Sequence, residues 1–223
     1  MPAFLLIGDS HCVAIGDAAR ELGVPFIGGP VAAGRDLNRD FATIENGHIV
    51  FHHPKIQQAY LARPFPGDWS ISERLPATIP VLCTFGGNFH FLARREIWDG
   101  LTLGASPDAQ FVSRSAFRAT VAAMIEGAIA MIEQFLSLGR TVYWPMPPAR
   151  IPPSAHPEVI AALRRVVPEL LPAGTRVIDP GEEVLDASGT LARPYSPANA
   201  ADQIHAGTRY GAAIVARLRS VHA

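Results

Sequence analysis

Phe4-Leu5-Leu6-Ile7-Gly8-Asp9-Ser10-His11 is a short apolar run that stops at a small, acidic, hydroxyl-bearing turn. A continuously apolar run of this length has no polar face, as expected of a parallel strand covered on both sides. Ala3–Ile7 is read as that strand. The next segment, Cys12–Leu22, carries Val13, Ile15, Ala19 and Leu22 at helical spacing, and Gly23 closes it. The alternation continues. Val24–Ile27 reads as a second strand leading to Gly28-Gly29-Pro30, and Ile79–Thr84 as a third that stops at Gly86-Gly87-Asn88. Ser113–Leu138 reads as one long helix, Thr141–Trp144 as a fourth strand and Pro157–Leu171 as a helix. Arg176–Ile178 is a fifth strand and Asn199–Val221 the closing helix. Thr43–Phe51 contains Asn46-Gly47 between apolar flanks, which predicts a small hairpin around 43–53 outside the main sheet.

Strands alternating with helices predict an α/β domain with an open, mainly parallel five-stranded sheet and helices on both faces. The 223 residues suffice for one such domain, spanning 1–223. Ligands of these sheets bind beyond the carboxyl ends of the strands. Ser10, Gly34, Asn88 and the Pro145–Pro153 loop each follow a predicted strand, so they are expected on one rim. The proline-rich stretch lies between a strand and a helix, which makes it a stiff loop over that rim rather than a linker.

Bulk composition narrows the field. Hydrophobic residues make up 48% and charged residues 17%, as in a well-packed globule. A formal net charge of -1 leaves no electrostatic footprint for nucleic acid or an anionic membrane. Two cysteines, Cys12 and Cys83, do not make a disulfide framework and are expected as reduced core thiols. The longest apolar stretch, Ala116–Leu138, is interrupted by Glu126 and Glu133 on one helical face, so it reads as a core helix and not a membrane span. The N-terminus lacks the basic region of a secretory signal, and a cytoplasmic location is expected.

The chemistry-bearing residues lie at the two ends of the chain. Ser10 ends the first strand, and Asp202-Gln203-Ile204-His205 lies near the C-terminus. A hydroxyl, an imidazole and a carboxylate are the three parts that turn a serine into a nucleophile. The three-residue spacing of Asp202 and His205 lets their side chains meet on one turn of helix. This points to a serine hydrolase or an acyl-transfer enzyme. Asn88 offers a side-chain amide of the kind that binds an oxyanion, and Gly34 a backbone N–H that a ligand can approach closely. Gly29–Asp36 mimics a phosphate-binding loop, but Arg35 and Asp36 stand where lysine and Ser/Thr are needed, so no nucleotide is expected. His52 and His53, adjacent on a strand, would point to opposite faces. No His-Glu-x-x-His or paired-cysteine spacing occurs, and neither metal nor cofactor is expected. Arg35, Phe89 and Tyr195 are candidate substrate contacts at the rim.

Taken in order, Gly8-Asp9-Ser10, Gly34, Gly86-Gly87-Asn88 and Asp202-x-x-His205 resemble the blocks of the SGNH hydrolases, also called the GDSL family. The resemblance spans residues 8 to 205. It implies a three-layer α/β/α sandwich of flavodoxin-like type and an esterase or acyl-transfer chemistry. It further implies Ser10 as nucleophile, Asp202 and His205 as its partners, and Ser10, Gly34 and Asn88 as oxyanion donors. Gly28 and Gly29 are alternatives for the second-block glycine. Two positions depart from the usual pattern: His11 follows the serine where leucine is common, and Phe89 follows Asn88 where aspartate is common. The expected reaction is hydrolysis of short-chain acyl esters on a small molecule or carbohydrate, with O-acetyl groups on sugars as the favoured class. O-acyl transfer by the same residues, or a non-catalytic binding domain on the same fold, are the alternatives.

Overall fold

Strand β1 (Phe4–Gly8) is buried along its whole length and has a parallel neighbour on each side. The computed structural model describes residues 2–61, 78–99 and 112–222. With β2 (Phe26–Pro30), β5 (Val81–Cys83), β6 (Val142–Pro145) and β7 (Arg176–Ile178), β1 forms a five-stranded sheet in the order β2-β1-β5-β6-β7. Every pairing in it is parallel. This is the doubly wound order of flavodoxin-like folds. Period-two alternation divides the strand residues between two cores. Leu5, Ile7, Val81, Cys83 and Trp144 face the larger one. Phe4, Leu6, Leu82, Tyr143 and Ile178 face the smaller one. The molecule is therefore the three-layer α/β/α sandwich that the sequence predicts.

Helices α1 (Cys12–Glu21) and α8 (Thr208–His222) cover the smaller core. They pack so closely that a Cβ on Gly211 would stand 2.0 Å from the Ala14 carbonyl oxygen. The larger core is covered by α5 (Arg114–Met124), α6 (Glu126–Ser137) and α7 (Pro157–Leu170). The hairpin forms as expected from β3 (Ala42–Glu45) and β4 (His48–Phe51). Asn46 and Gly47 both have positive φ, 50° and 79°, the requirement of the tight turn. Gln134 of α6 anchors the hairpin by accepting the Ile44 N–H at 2.6 Å. Among the described residues the structure adds short helices that the sequence did not signal: α2 (Pro54–Leu61), α3 (Phe89–Leu92) and α4 (Arg95–Trp98).

Two helical expectations are corrected. The expected single helix over 113–138 is two helices that meet at 71°. The break has a tertiary cause. Gly127 N–H donates to the Asn38 carbonyl at 3.0 Å instead of continuing a helical ladder. A Cβ on Gly127 would lie 1.7 Å from the Arg39 carbonyl oxygen. The loop after β2 thus presses on the helix at this glycine. Among the described residues no single helix is long and apolar enough to cross a membrane. The closing helix begins at Thr208 rather than Asn199, so Asp202 and His205 lie in a loop. Their meeting has another cause, described below. His52 and His53 likewise follow β4 instead of lying in it.

The glycine contact predicts a measurable cost. Gly127→Ala should destabilise the protein by roughly 1–3 kcal/mol, because its methyl meets backbone that cannot rotate away. A lower urea midpoint with an unchanged m-value checks this.

Candidate active site

The turn after β1 is set by Asp9, which is buried. Its N–H donates to Thr84 Oγ1 at 3.0 Å, and the Thr84 hydroxyl donates back to Asp9 Oδ1 at 2.8 Å. The same carboxylate oxygen accepts the His11 N–H at 3.0 Å. These bonds hold Ser10 just beyond the end of β1, two residues before α1 begins. Its half-buried Oγ lies 2.7 Å from His205 Nε2, across 195 residues of sequence. His205 Nδ1 lies 2.8 Å from Asp202 Oδ2. The other oxygen, Asp202 Oδ1, accepts the N–H groups of Ile204 at 3.1 Å and His205 at 3.0 Å. This side-chain turn, not a helix, brings the two residues together.

Asp202 titrates below the ordinary carboxylate range. Burial acts to raise it, but the N–H groups of His205 and Ile204 and the His205 ring prevail. The carboxylate therefore remains ionised beside the imidazole, which favours the tautomer with its proton on Nδ1 and leaves Nε2 toward Ser10.

Gly34, the first residue of a short 3₁₀ turn, lies against Asn88 and Asp9. A Cβ there would stand 2.7 Å from Asn88 Cβ and 2.8 Å from Asp9 Oδ2. Only glycine lets these three segments close together. Gly28 and Gly29 lie inside β2, which leaves Gly34 as the second-block glycine at the rim. Asn88 is 1% exposed, and among the described residues neither its amide nitrogen nor its amide oxygen has a hydrogen-bond partner. Buried amides are normally satisfied, so one left without a partner against Gly34 calls for an explanation.

The remaining candidates divide. Phe89 is a core residue: it is 3% exposed, and its ring centroid lies 6.3 Å from that of Trp144. The α3 turn carries its side chain inward, away from the rim. Tyr195 packs on the smaller core, and its carbonyl accepts the Gly207 N–H at 2.7 Å. The Arg35 side chain is largely exposed and lies 3.6 Å from Asp36. None of these three lines the cavity that opens beside Ser10 and His205.

Three residues that sequence reasoning did not select belong to the surroundings of the site. His11 and His90 form a row with His205. The His11 ring lies 5.5 Å from that of His205 and 6.1 Å from that of His90, edge to face in both cases. Burial lowers the pKa of His11, reinforced by His205 and opposed by Asp9 and Asp202. Burial, then His11 and His205, lower that of His90 to about 4 against the same two carboxylates. Among the described residues no group of three or more His, Cys, Asp or Glu is arranged to hold a metal ion. Arg150 in the proline-rich loop donates from Nη1 to Ser196 Oγ at 2.9 Å and from Nη2 to the Asp202 carbonyl at 2.5 Å. It braces the loop that carries Asp202 and His205. Nothing in its spacing from other residues signals this.

No protein-family model matches the chain, and no curated protein matches it significantly. Solved structures do. A proposed platelet activating factor from Streptococcus pneumonia aligns at a TM-score of 0.55 and 12% identity, over 100% of this chain and 84% of that one. A proposed lipolytic protein of the G-D-S-L family from Desulfitobacterium hafniense aligns at 0.51 and 11%, over 98% of each chain. The chain has the SGNH-hydrolase fold. The resemblance read from its sequence blocks and the likeness of its whole backbone agree on that fold. Within it, the four SGNH-like blocks meet at one end of the sheet.

Two outcomes are expected. Arg150→Ala should slow labelling of Ser10 by a fluorophosphonate on the order of 10- to 100-fold, since small displacements of a base are costly. Arg150→Lys should recover only part of that rate, because an ammonium lacks the two-pronged fork. Second, the folded-state pKa of His90 lies below its unfolded value of 6.5. The unfolded chain binds the extra proton between those values, so this contribution to stability is complete above pH 6.5 and is lost as pH falls toward about 4. His90→Gln should therefore show a smaller drop in urea midpoint between pH 7 and pH 5 than the parent protein.

Proposed function

We propose that this protein is a serine esterase acting on short-chain acyl esters of small molecules. The observation that carries this reading is the continuous relay from Ser10 Oγ through His205 to Asp202, with links of 2.7 and 2.8 Å. In the proposed reaction Ser10 Oγ attacks the ester carbonyl carbon while His205 Nε2 takes the hydroxyl proton. Asp202 holds the Nδ1 proton and stabilises the imidazolium. The carbonyl oxygen becomes an oxyanion, met by the Ser10 and Gly34 N–H groups and the Asn88 amide. The N-terminus of α1, two residues on, adds a favourable field for that negative charge. Collapse of the intermediate breaks the carbon–oxygen bond to the alcohol, which leaves with the proton from His205. Water, deprotonated by His205, then attacks the acyl-serine. The acid is released and Ser10 recovers its proton.

This reading gains support from the placement of Asn88. A neutral carbonyl accepts hydrogen bonds more weakly than an oxyanion, so a donor held without a partner favours the charged intermediate over the bound ester. The SGNH-hydrolase fold is consistent with such chemistry, and the residue set is complete without an added cofactor.

The test uses an aryl acetate and a fluorophosphonate. Ser10→Ala should abolish both turnover and labelling, and Asp202→Asn should lower kcat roughly 10⁴-fold by releasing the wrong imidazole tautomer. Asn88→Ala should lower kcat roughly 10²–10³-fold with little change in KM, the signature of a donor used only in the transition state. Undiminished turnover in Ser10→Ala would refute the proposal.

A further inference from the structure

The cavity beside Ser10 and His205 has a volume of about 540 Å³. An enclosed apolar space of about 150 Å³ already holds benzene, so there is room here for a ring and a chain beyond it. Its walls place it in the reaction. His205 and Asp202 form part of the lining, whereas Gly34 and Asn88 do not. In the tetrahedral intermediate the oxyanion points to Gly34 and Asn88, and the leaving oxygen must lie within reach of the proton on His205 Nε2. The space on the histidine side therefore belongs to the alcohol half of the ester.

The chemistry of the walls is decisive about which alcohol. Val13, Ala14, Met146, Pro147, Pro148 and Pro197 supply apolar surface. Several polar atoms that line it are already engaged. The Thr84 hydroxyl donates to Asp9 and the Tyr210 hydroxyl donates to the Met146 carbonyl. Ser196 Oγ accepts from Arg150, and Asp17 pairs with Arg20 at 2.6 Å. Both carboxylate oxygens of Asp202 are committed to His205 and the turn. A sugar placed here would find side-chain partners in Arg209, Thr208 and His11, while its remaining hydroxyls would be buried against prolines and methyl groups, at a cost for each. An apolar alcohol would exchange water for prolines and methyl groups, which is favourable.

Resting on the esterase reading above, we infer that this cavity binds an uncharged, apolar alcohol moiety, so that the substrates are esters of hydrophobic alcohols and not acylated sugars. This departs from the carbohydrate class expected from the sequence. The alcohol is both the specificity-determining part of the substrate and the first product released.

Two homologous series on the wild-type protein test this: acetates of ethanol, butanol and hexanol, and ethyl esters of acetic, butanoic and hexanoic acids. Peracetylated glucose and xylose serve as the sugar arm. kcat/KM should rise roughly three- to fourfold per methylene of the alcohol until the cavity fills, remain flat or fall along the acyl series, and be lower for the sugar acetates than for hexyl acetate. Ala14→Leu, and separately Val13→Trp, should flatten the alcohol series when each rate is divided by that variant's rate on ethyl acetate. Turnover and fluorophosphonate labelling with no dependence on the alcohol, with a rise along the acyl series instead, or with preference for sugar acetates would overturn the assignment while leaving the esterase reading intact. Absence of both labelling and turnover would overturn the two together.

Discussion

A hydrogen bond of 2.7 Å between Ser10 Oγ and His205 Nε2 joins segments 195 residues apart, and the rest of the architecture can be understood as fixing its two ends. Ser10 lies two residues before α1, and His205 three residues before α8. Those helices are in backbone contact near their N-termini, where Gly211 leaves no space for a Cβ beside the Ala14 carbonyl. Ser10 and His205 therefore sit just before two elements whose mutual position is set by direct packing. Little slack remains between that packing and the bond. Arg150 removes more of it by tying the loop before His205 at two points, Ser196 and Asp202. Asp9 does the same for the serine turn through Thr84 and the His11 N–H. The positioning is thus carried by side chains that do not themselves touch the reacting atoms.

The elements legible in the sequence are those whose signal is local. β1 is a continuous apolar run because it is covered on both faces, and the hairpin announces itself through Asn46-Gly47. What escaped reading was settled by distant parts of the chain. The break at Ile125 comes from the Arg39 carbonyl, which reaches Gly127 from a loop some ninety positions away, as about ninety residues also separate Ile44 from Gln134 in the same contact zone. The late start of α8 has a different origin. Asp202 captures the N–H groups of Ile204 and His205 with its side chain, a local alternative to the helical ladder. The pairing of Asp202 with His205 was thus read correctly for a wrong reason, since a turn of helix and a side-chain turn satisfy the same three-residue spacing. Phe89 illustrates the converse. An aromatic next to a rim asparagine suggests a pocket wall, but one residue of rotation about α3 sends it into the core against Trp144.

Electrostatics at the site favour neutrality in the two rings beside His205. His11 and His90 are both held toward their uncharged forms, chiefly by burial. A cation on either would oppose the transfer of a proton onto His205, because like charges a few ångströms apart repel in partly buried surroundings. The carboxylate in contact with the His205 ring is that of Asp202, kept ionised by its own backbone donors. The departure of His11 from the leucine common at that position thus adds a polar ring without adding a competing charge at neutral pH.

Asn88 shows how stability and chemistry are balanced against one another. A buried amide with neither atom satisfied costs on the order of 1–3 kcal/mol, and the surrounding structure offers no relief. Gly34 lies so close that a Cβ there would stand 2.7 Å from Asn88 Cβ, and α3 begins at the residue after Asn88. Were the amide able to turn and bond within the protein, the fold would gain stability. It would then have to break that bond before meeting a substrate oxygen, and the gain would reappear as a barrier. In the proposed reaction, a donor held unpaired would move that cost from the reaction to folding, where the two cores on either side of the sheet can absorb it. In the proposed reaction the close packing of Gly34 on Asn88 and Asp9 would bring the amide and the serine turn together where negative charge develops.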